Sequence, residues 1–407
     1  MKKQFIMVCA VAGMFGACTN SNDPAIEQGD GEQVIRLKVS SIGDGMSTRA
    51  GRDLFSEEAD QAVDNVKIVV VDNDNKVVAQ TTVGNWSQIA KKSDGGFEAI
   101  AKIPSANRVA TPGTYRIYAY GYSNGTEYTD LATTIGQIES NDDFDETQIL
   151  AFSEASAKVG EELFAGAGTL TVVGSNNSAT GDVILTRQVA GTFGYFKNVP
   201  YIIGASKLVL KTYANLNTKL VLGGFDKENV VNGTEESESS VIYTINLGDW
   251  FSEMASTDDN AIADTSWKNP YASSGATFAQ GSVFGGSFII PFEAVNEKNT
   301  FILELQDDND AVLRNWTVKL PSTDTQVGTY KRWTWDGNSF VESDVTEDLT
   351  SYSILRNHLY SVGTRTVKNP ATTDDGVKDA PVDLNKDQIL TLTVSANWEA
   401  IHHMDIE

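Results

Sequence analysis

Cysteine is almost absent from this sequence: its 407 residues hold two, Cys9 and Cys18, and none from Thr19 onward. Beyond Cys18, disulfides, thiolate metal sites and thiol catalysis are therefore excluded, and core packing and strand ladders must hold the fold. Histidine is nearly as scarce, with only His358, His402 and His403. On a strand the adjacent pair His402 and His403 would face opposite ways and could not easily share an ion. His358, in RNHLYSV, reads as a structural strand residue. Basic residues are outnumbered as well: 31 Lys and Arg against 55 Asp and Glu leave a formal net charge of −24. Phosphates demand a basic face, so nucleic acid is excluded as a partner; the balance suits a solvated, exported protein. No H-E-x-x-H or P-loop is present, and no carboxylate pair stands out among the acidic residues, so no enzyme and no cofactor are expected. The one long apolar run, Phe5 to Phe15, is about eleven residues and too short to span a bilayer.

What is present at the N-terminus has the order of a secretion signal: Lys2 and Lys3, the apolar run, then Gly16-Ala17-Cys18. The small residues before Cys18 resemble the lipobox of bacterial lipoproteins, with Phe15 where leucine is usual. Cys18 is then the lipid attachment site; the alternative is an ordinary signal peptide in which Cys18 is incidental. The run Thr19-Asn20-Ser21-Asn22-Asp23-Pro24 reads as a flexible tether.

Strand-like segments dominate the rest. NVKIVVVDNDNKVVAQ predicts a hairpin turning at Asp72-Asn73-Asp74-Asn75. GTYRIYAYGYS predicts a two-sided strand. KLVLKTYANLNTKLVLGGF, SFIIPFE, NTFILELQDDNDAVLRNWTVKL and RWTWDGNSFVE repeat the pattern, with turn residues between them. DETQILAFSEASAKVGEELF carries the strongest helical signal, as a short helix or a covering loop. Asp72–Asn75 and Asp307-Asp308-Asn309-Asp310 look like calcium loops. Lys76 stands where an EF-hand places a ligand, however, and neither loop has the later glutamate, so hairpin turns are expected. Trp333 and Trp335 share a strand face and could stack on sugars, although core packing is the commoner role of such a pair. Charged residues at 21% and hydrophobic ones at 41% fit folded sandwiches, and VVGSNNSATGDV is a polar break between two strand-rich halves.

Two segments share one pattern. In Ile35-Arg36-Leu37-Lys38-Val39, the residues Ile35, Leu37 and Val39 lie on one face. In LTLTVSANW, the residues Leu390, Leu392, Val394, Ala396 and Trp398 do the same. After the first comes SSIGDGMSTRAGRD, a Gly- and Ser-rich stretch open to proteolysis at Arg49 or Arg52. Before the second comes the polar NPATTDDGVKDAPVDLNKD, which could let it reach away from its own body. Both are half-buried strands of their own domains, or they are exchange partners. In the second case a cut at Arg49 frees the first strand, and the second strand of another copy fills the groove.

ELFAGAGTLTVV, VILTRQVAGTFGYFKNVPY and ILRNHLYSVGTRTV, together with the lipobox and the arginine after the first strand, resemble the fimbrillins, the major-pilin family of type V pili in Bacteroidota. The resemblance implies an all-β fold with two antiparallel β-sandwich domains of transthyretin-like, Greek-key type in tandem. The segments would be a signal at 1–17, a propeptide with tether and removable first strand at 18–49, sandwiches at 50–177 and 178–380, and a donor-strand segment at 381–407. It further implies export as a lipoprotein to the outer membrane, where a palmitate-type lipid on Cys18 holds it transiently. An arginine-specific protease would cut at Arg49, with Arg52 as second choice, and the chain would polymerise by donor-strand exchange into a cell-surface fimbrium for adhesion and biofilm formation. Partners would be further copies, anchor and tip subunits, that protease, and a host or bacterial receptor that the sequence does not specify. The tail EAIHHMDIE continues past Trp398, with no assigned role. A lipid-anchored surface protein that binds glycans is the competing expectation.

Overall fold

A computed structural model of the chain describes residues 31–39, 63–86, 97–122, 135–146, 149–151, 158–159, 163–174, 177–212, 219–221, 240–274, 277–290, 301–319, 327–335, 340–348, 359–363, 380–386, 389–391 and 393–395. Nearly all of the regular structure in these residues is strand. In the first half the strands are β1 (Gln33–Val39), β2 (Asn65–Val71), β3 (Val77–Val83), β4 (Phe97–Lys102), β5 (Gly113–Tyr122), β6 (Ile149–Ala151), β7 (Lys158–Val159), β8 (Phe164–Val173) and β9 (Ser178–Arg187). They continue as β10 (Ala190–Lys197), β11 (Lys207–Thr212), β12 (Lys219–Val221), β13 (Val241–Asn246), β14 (Ser282–Ile289), β15 (Phe301–Gln306) and β16 (Val312–Lys319). The last are β17 (Val327–Trp335), β18 (Phe340–Asp348), β19 (Leu359–Val362), β20 (Val382–Asp383), β21 (Ile389–Thr391) and β22 (Thr393–Ser395). The all-β sandwich expectation holds. No described helix is long and apolar enough to cross a membrane.

The first half is a seven-stranded sheet in the order β3-β2-β5-β8-β9-β1-β4. Its outer strands β3 and β4 approach each other, and all seven strands send side chains into one core, among them Ile35, Val66, Ala79, Ala101, Ile117, Leu170 and Val183. The sheet therefore curls around its own interior. Glycines in β8 permit the curl, because a Cβ on Gly166 or Gly168 would strike the carbonyl oxygen of Ile184 or Asp182 on β9. The other face is buried too. Tyr118, Tyr120 and Tyr122 of β5 join a second core continuous with the second half, which explains why the alternation in GTYRIYAYGYS is apolar on both sides.

The second half packs β22-β19-β10-β14-β7, with β20 also on β10, against β13-β11-β15-β16-β21. Phe193, Tyr195, Phe284 and Tyr360 from one sheet meet Leu208, Leu303, Trp316 and Leu390 from the other in a single core. β17 and β18 form a separate hairpin.

Three expectations change. The 177/178 boundary falls inside the β8–β9 hairpin, and the chain changes sheet at Gln188–Val189 instead; the polar break reads as a boundary only because a hairpin turn has the same composition as a linker. The weak helical signal at DETQILAFSEASAKVGEELF contains β6 and β7, which pair with β12 and β14. β11 and β12, adjacent in KLVLKTYANLNTKLVLGGF, pair with different partners. Both Asp/Asn loops are hairpin turns as expected. Asp72 Oδ1 accepts the N–H groups of Asp74 at 2.9 Å and Lys76 at 2.8 Å, and Asp307 Oδ1 those of Asn309 at 2.8 Å and Ala311 at 2.9 Å. Asn75 and Asp310 sit at φ of 61° and 65°, where such residues are tolerated.

The buried tyrosines make the fold sensitive to alkali. Burial pushes the phenols of Tyr118, Tyr120 and Tyr243 upward, and for Tyr118 the hydrogen bond to Glu146, 2.6 Å long, adds to the effect. Below about pH 10 these phenols are neutral in both the folded and the unfolded chain; above it only the unfolded chain ionises freely, so stability is lost as pH rises. Phenolate absorbance should climb in two phases, the second coinciding with loss of the β circular-dichroism signal. A single smooth titration with the fold intact would contradict the assignment.

Candidate functional site

The site of interest is the place that β1 occupies. Although it comes first in the chain, β1 is an interior strand, parallel to β9 and antiparallel to β4. Its register sets Ile35 beside Gly181 and Ala101, and Leu37 beside Val183 and Ala99. Ala99 and Ala101 on β4 are small, and Ile35 and Leu37 are both fully buried there. Val34, on the opposite face, is equally buried, so the alternation at the start of the strand is not simply apolar in and polar out. For Val39 the structure gives the strand position only.

Gln33 locks the entry. Its Nε2 donates to the carbonyls of Val109 at 2.7 Å and Asn177 at 3.0 Å, and its Oε1 accepts from the Val109 N–H at 2.8 Å. Gln33 is in phase with Ile35, Leu37 and Val39, but as a polar residue it gives no apolar signal for this role. On the outer face Arg36 Nε lies 3.4 Å from Asp182 on β9 and 3.7 Å from Glu98 on β4, and Lys38 is registered opposite Glu98. Arg36 thus answers carboxylates on both flanking strands.

The other half of the expected constellation is placed differently. The alternating segment contains two strands: β21 runs parallel to β16 in one sheet, and β22 antiparallel to β19 in the other. Among the described residues, each pairing covers three residues on one side. Leu390 is buried in the second core. For Val394 only the strand position is described. Leu392, Ala396 and Trp398 lie outside the described residues, as do Cys18, Arg49, Arg52, His358, His402 and His403. Trp333 and Trp335 are placed on β17 opposite Glu342 and Phe340, which fits a shared face.

The polar segment ahead of β21 is not free along its length, as its composition suggests. Val382 and Asp383 pair with Phe196 and Lys197, and Leu384 is fully buried. The Leu384 carbonyl accepts from Trp316 Nε1 at 3.2 Å, Asp383 from Asn198 Nδ2 at 2.7 Å, and the Asp259 carbonyl from Asn385 Nδ2 at 2.6 Å. Any swing of the last strand therefore starts after this pin. Val382 and Leu384, one residue apart in PVDLN, are its faint sequence signal.

No family model matches the chain, and no curated protein does. Solved structures are similar to it over most of its length. One is a protein from Bacteroides eggerthii assigned to cell adhesion, 14% identical with a TM-score of 0.42, covering 90% of this chain and 96% of that one. Another is the fimbrial anchor protein Mfa2 from Porphyromonas gingivalis, 9% identical with a TM-score of 0.34, covering 90% and 98%. A third is a fimbrial assembly protein from Parabacteroides distasonis, 12% identical with a TM-score of 0.34, covering 80% and 98%.

Two substitutions test how β1 is held. Leu37→Ala empties a core position and should cost the uncleaved chain about 2–5 kcal/mol in denaturant unfolding. Arg36→Glu sets a third carboxylate between Asp182 and Glu98 and should cost about 1 kcal/mol, less in high salt. Loss of neither would mean that β1 is not seated as described.

Proposed function

We propose that the chain is the shaft subunit of a fimbrium, a structural protein and not an enzyme, whose first strand is a temporary occupant of the β9/β4 slot. One observation carries this: the strand nearest the start of the sequence fills an interior position, and two arginines come after it. A cut after Arg49 or Arg52 separates β1 covalently from the sheet that it completes. When β1 leaves, the backbone edges of β9 and β4 and a groove lined for Ile35 and Leu37 are bared together, a combination that demands another strand.

The segment 389–395 is suited to be that strand. Among the described residues it has ladders of three residues each in its own chain, whereas the slot offers seven paired positions on β9 and six on β4. Moving into another copy's slot gains backbone hydrogen bonds at about 0.5–1.5 kcal/mol each. Leu390, Leu392, Val394, Ala396 and Trp398 would project toward the groove, and Thr391, Thr393, Ser395 and Asn397 outward. The pin at Val382–Asn385 keeps the donor tethered while the residues beyond it extend. Cys18 fits a transport role in this scheme: it anchors the precursor at the outer membrane and is discarded with β1. Anchor and tip subunits, an arginine-specific protease and a surface receptor are the partners that this role requires.

Digestion of the chain from Thr19 onward with an arginine-specific protease tests the proposal. The product should begin at Ala50 or Asp53 and run as a ladder of multimers on an unboiled denaturing gel. Deleting Leu390–Trp398 should abolish self-laddering while leaving the slot able to accept one donor from an intact copy. Clean cutting to a monomer that neither ladders nor accepts a donor would overturn the shaft role and favour the lipid-anchored glycan-binding protein.

A further inference from the structure

Two adjoining clefts in the second sandwich belong to none of these strand-exchange elements. They share Asn246 as a common wall. The larger, about 520 Å³, is lined by Lys207, Asn246, Met254 and Asp308 among others. The smaller, about 320 Å³, is bounded by Thr244, Asp249, Trp250, Tyr271 and the backbone of Gly285 and Gly286. Both volumes fall within the roughly 300–1,000 Å³ of small-molecule sites.

The local fold builds this arrangement. β13 alternates, so Thr244 and Asn246 are exposed while Tyr243 and Ile245 are buried. The chain then makes one helical turn, Leu247–Trp250, which exposes Asp249 and buries Trp250. Trp250 backs Tyr271 at 5.7 Å between ring centroids and meets Phe278 edge-on at 5.1 Å. Asn269 Oδ1 accepts the Tyr271 N–H at 2.9 Å, and the Tyr271 ring remains half-buried at the cleft wall. The floor must be glycine at residue 285, where a Cβ would come within 2.5 Å of Ile245. The result is an aromatic wall held by other rings, a backbone floor, and an amide, a hydroxyl and a carboxylate along the rim.

The charges narrow the ligand class. Lys207 Nζ lies 2.5 Å from Asp310 and is neutralised, which leaves the carboxylates of Asp249 and Asp308 on a chain of net charge −24. Anionic ligands are repelled. The polar rim disfavours a purely apolar ligand, because its groups would lose water without gaining partners. A sugar ring offers an apolar C–H face for an aromatic side chain and hydroxyl groups for amide and carboxylate, and needs no cation. We propose that this double cleft binds a neutral oligosaccharide, with one ring stacked on Tyr271 and its hydroxyls held by Asn246, Asp249 and Thr244.

Saturation-transfer NMR on the intact chain tests it, using a panel of neutral gluco-, manno- and galacto-oligosaccharides with sialyllactose as the anionic comparison. Transfer to ring protons of at least one neutral sugar is expected. Its affinity should weaken about tenfold or more in Tyr271→Ala and in Asn246→Ala, the latter on an exposed strand face where folding is not at risk. Trp333→Ala should leave it unchanged. No transfer from any neutral sugar, binding that survives both cleft substitutions, loss on Trp333→Ala, or preference for sialyllactose would each overturn the proposal. Multimer laddering on the unboiled gel should be the same in all variants, so this inference and the shaft role fail separately.

Discussion

The two-sided seating of β1 is the constraint on which the first half of the structure depends. Among the described residues, β4 has its ladder on β1, and β9 is joined to β4 through it. The strand closing the curl is supplied by residues far from β9 in sequence, so the closure is non-local, and its ladder forms only after distant segments meet. The seat is specified three ways at once. Ile35 and Leu37 fill the core, Gln33 saturates buried backbone groups at the entry, and Arg36 lies between two carboxylates. A strand held by all three is stable while its chain is whole.

The second half has the opposite character. Its two sheets share a dense aromatic core, with Phe284 lying 5.5 Å from Phe193 and 5.4 Å from Phe278. The pin at Val382–Asn385 is tied to β10 and to Trp316 within that core. Beyond the pin, the ladders of β21 and β22 among the described residues are three residues long, on β16 and β19. In the proposed exchange the second half would supply the donor strand and the first half the slot that β1 fills. The clefts around Asn246 draw on neither element, so the proposed ligand surface would not compete with the proposed assembly.

Charge patterning links the two scales. The net charge is −24, yet β1 sets Arg36 between Asp182 and Glu98. The alternating segment at 390–398 carries hydroxyls and an amide on its polar face instead. The first strand is therefore the electrostatically better match for the slot, and any replacement must rely on apolar burial and backbone bonds.

Residue order alone determined much of this protein. The absence of cysteine after Cys18 forced a packed, ladder-held fold. Period-2 alternation marked β1 and the 390–398 segment, and Asp72 and Asp307 announced their turns because a short carboxylate can cap a local bend without distant help. The apolar sets Ile35/Leu37 and Leu390 were legible as buried for the same local reason. Tertiary structure decided the rest. Only three-dimensional pairing made β1 an interior strand parallel to β9, since nothing in seven residues encodes their neighbours. It moved the sheet change from 177/178 to Gln188–Val189, because hairpin turns and linkers share a composition. It pinned Val382–Asn385 through Asn198, Asp259 and Trp316, residues separated from them by tens of positions. It also gathered Asn246, Asp249, Tyr271 and Gly285 into one cleft, where no spacing in the chain could have shown that rings, floor and rim converge.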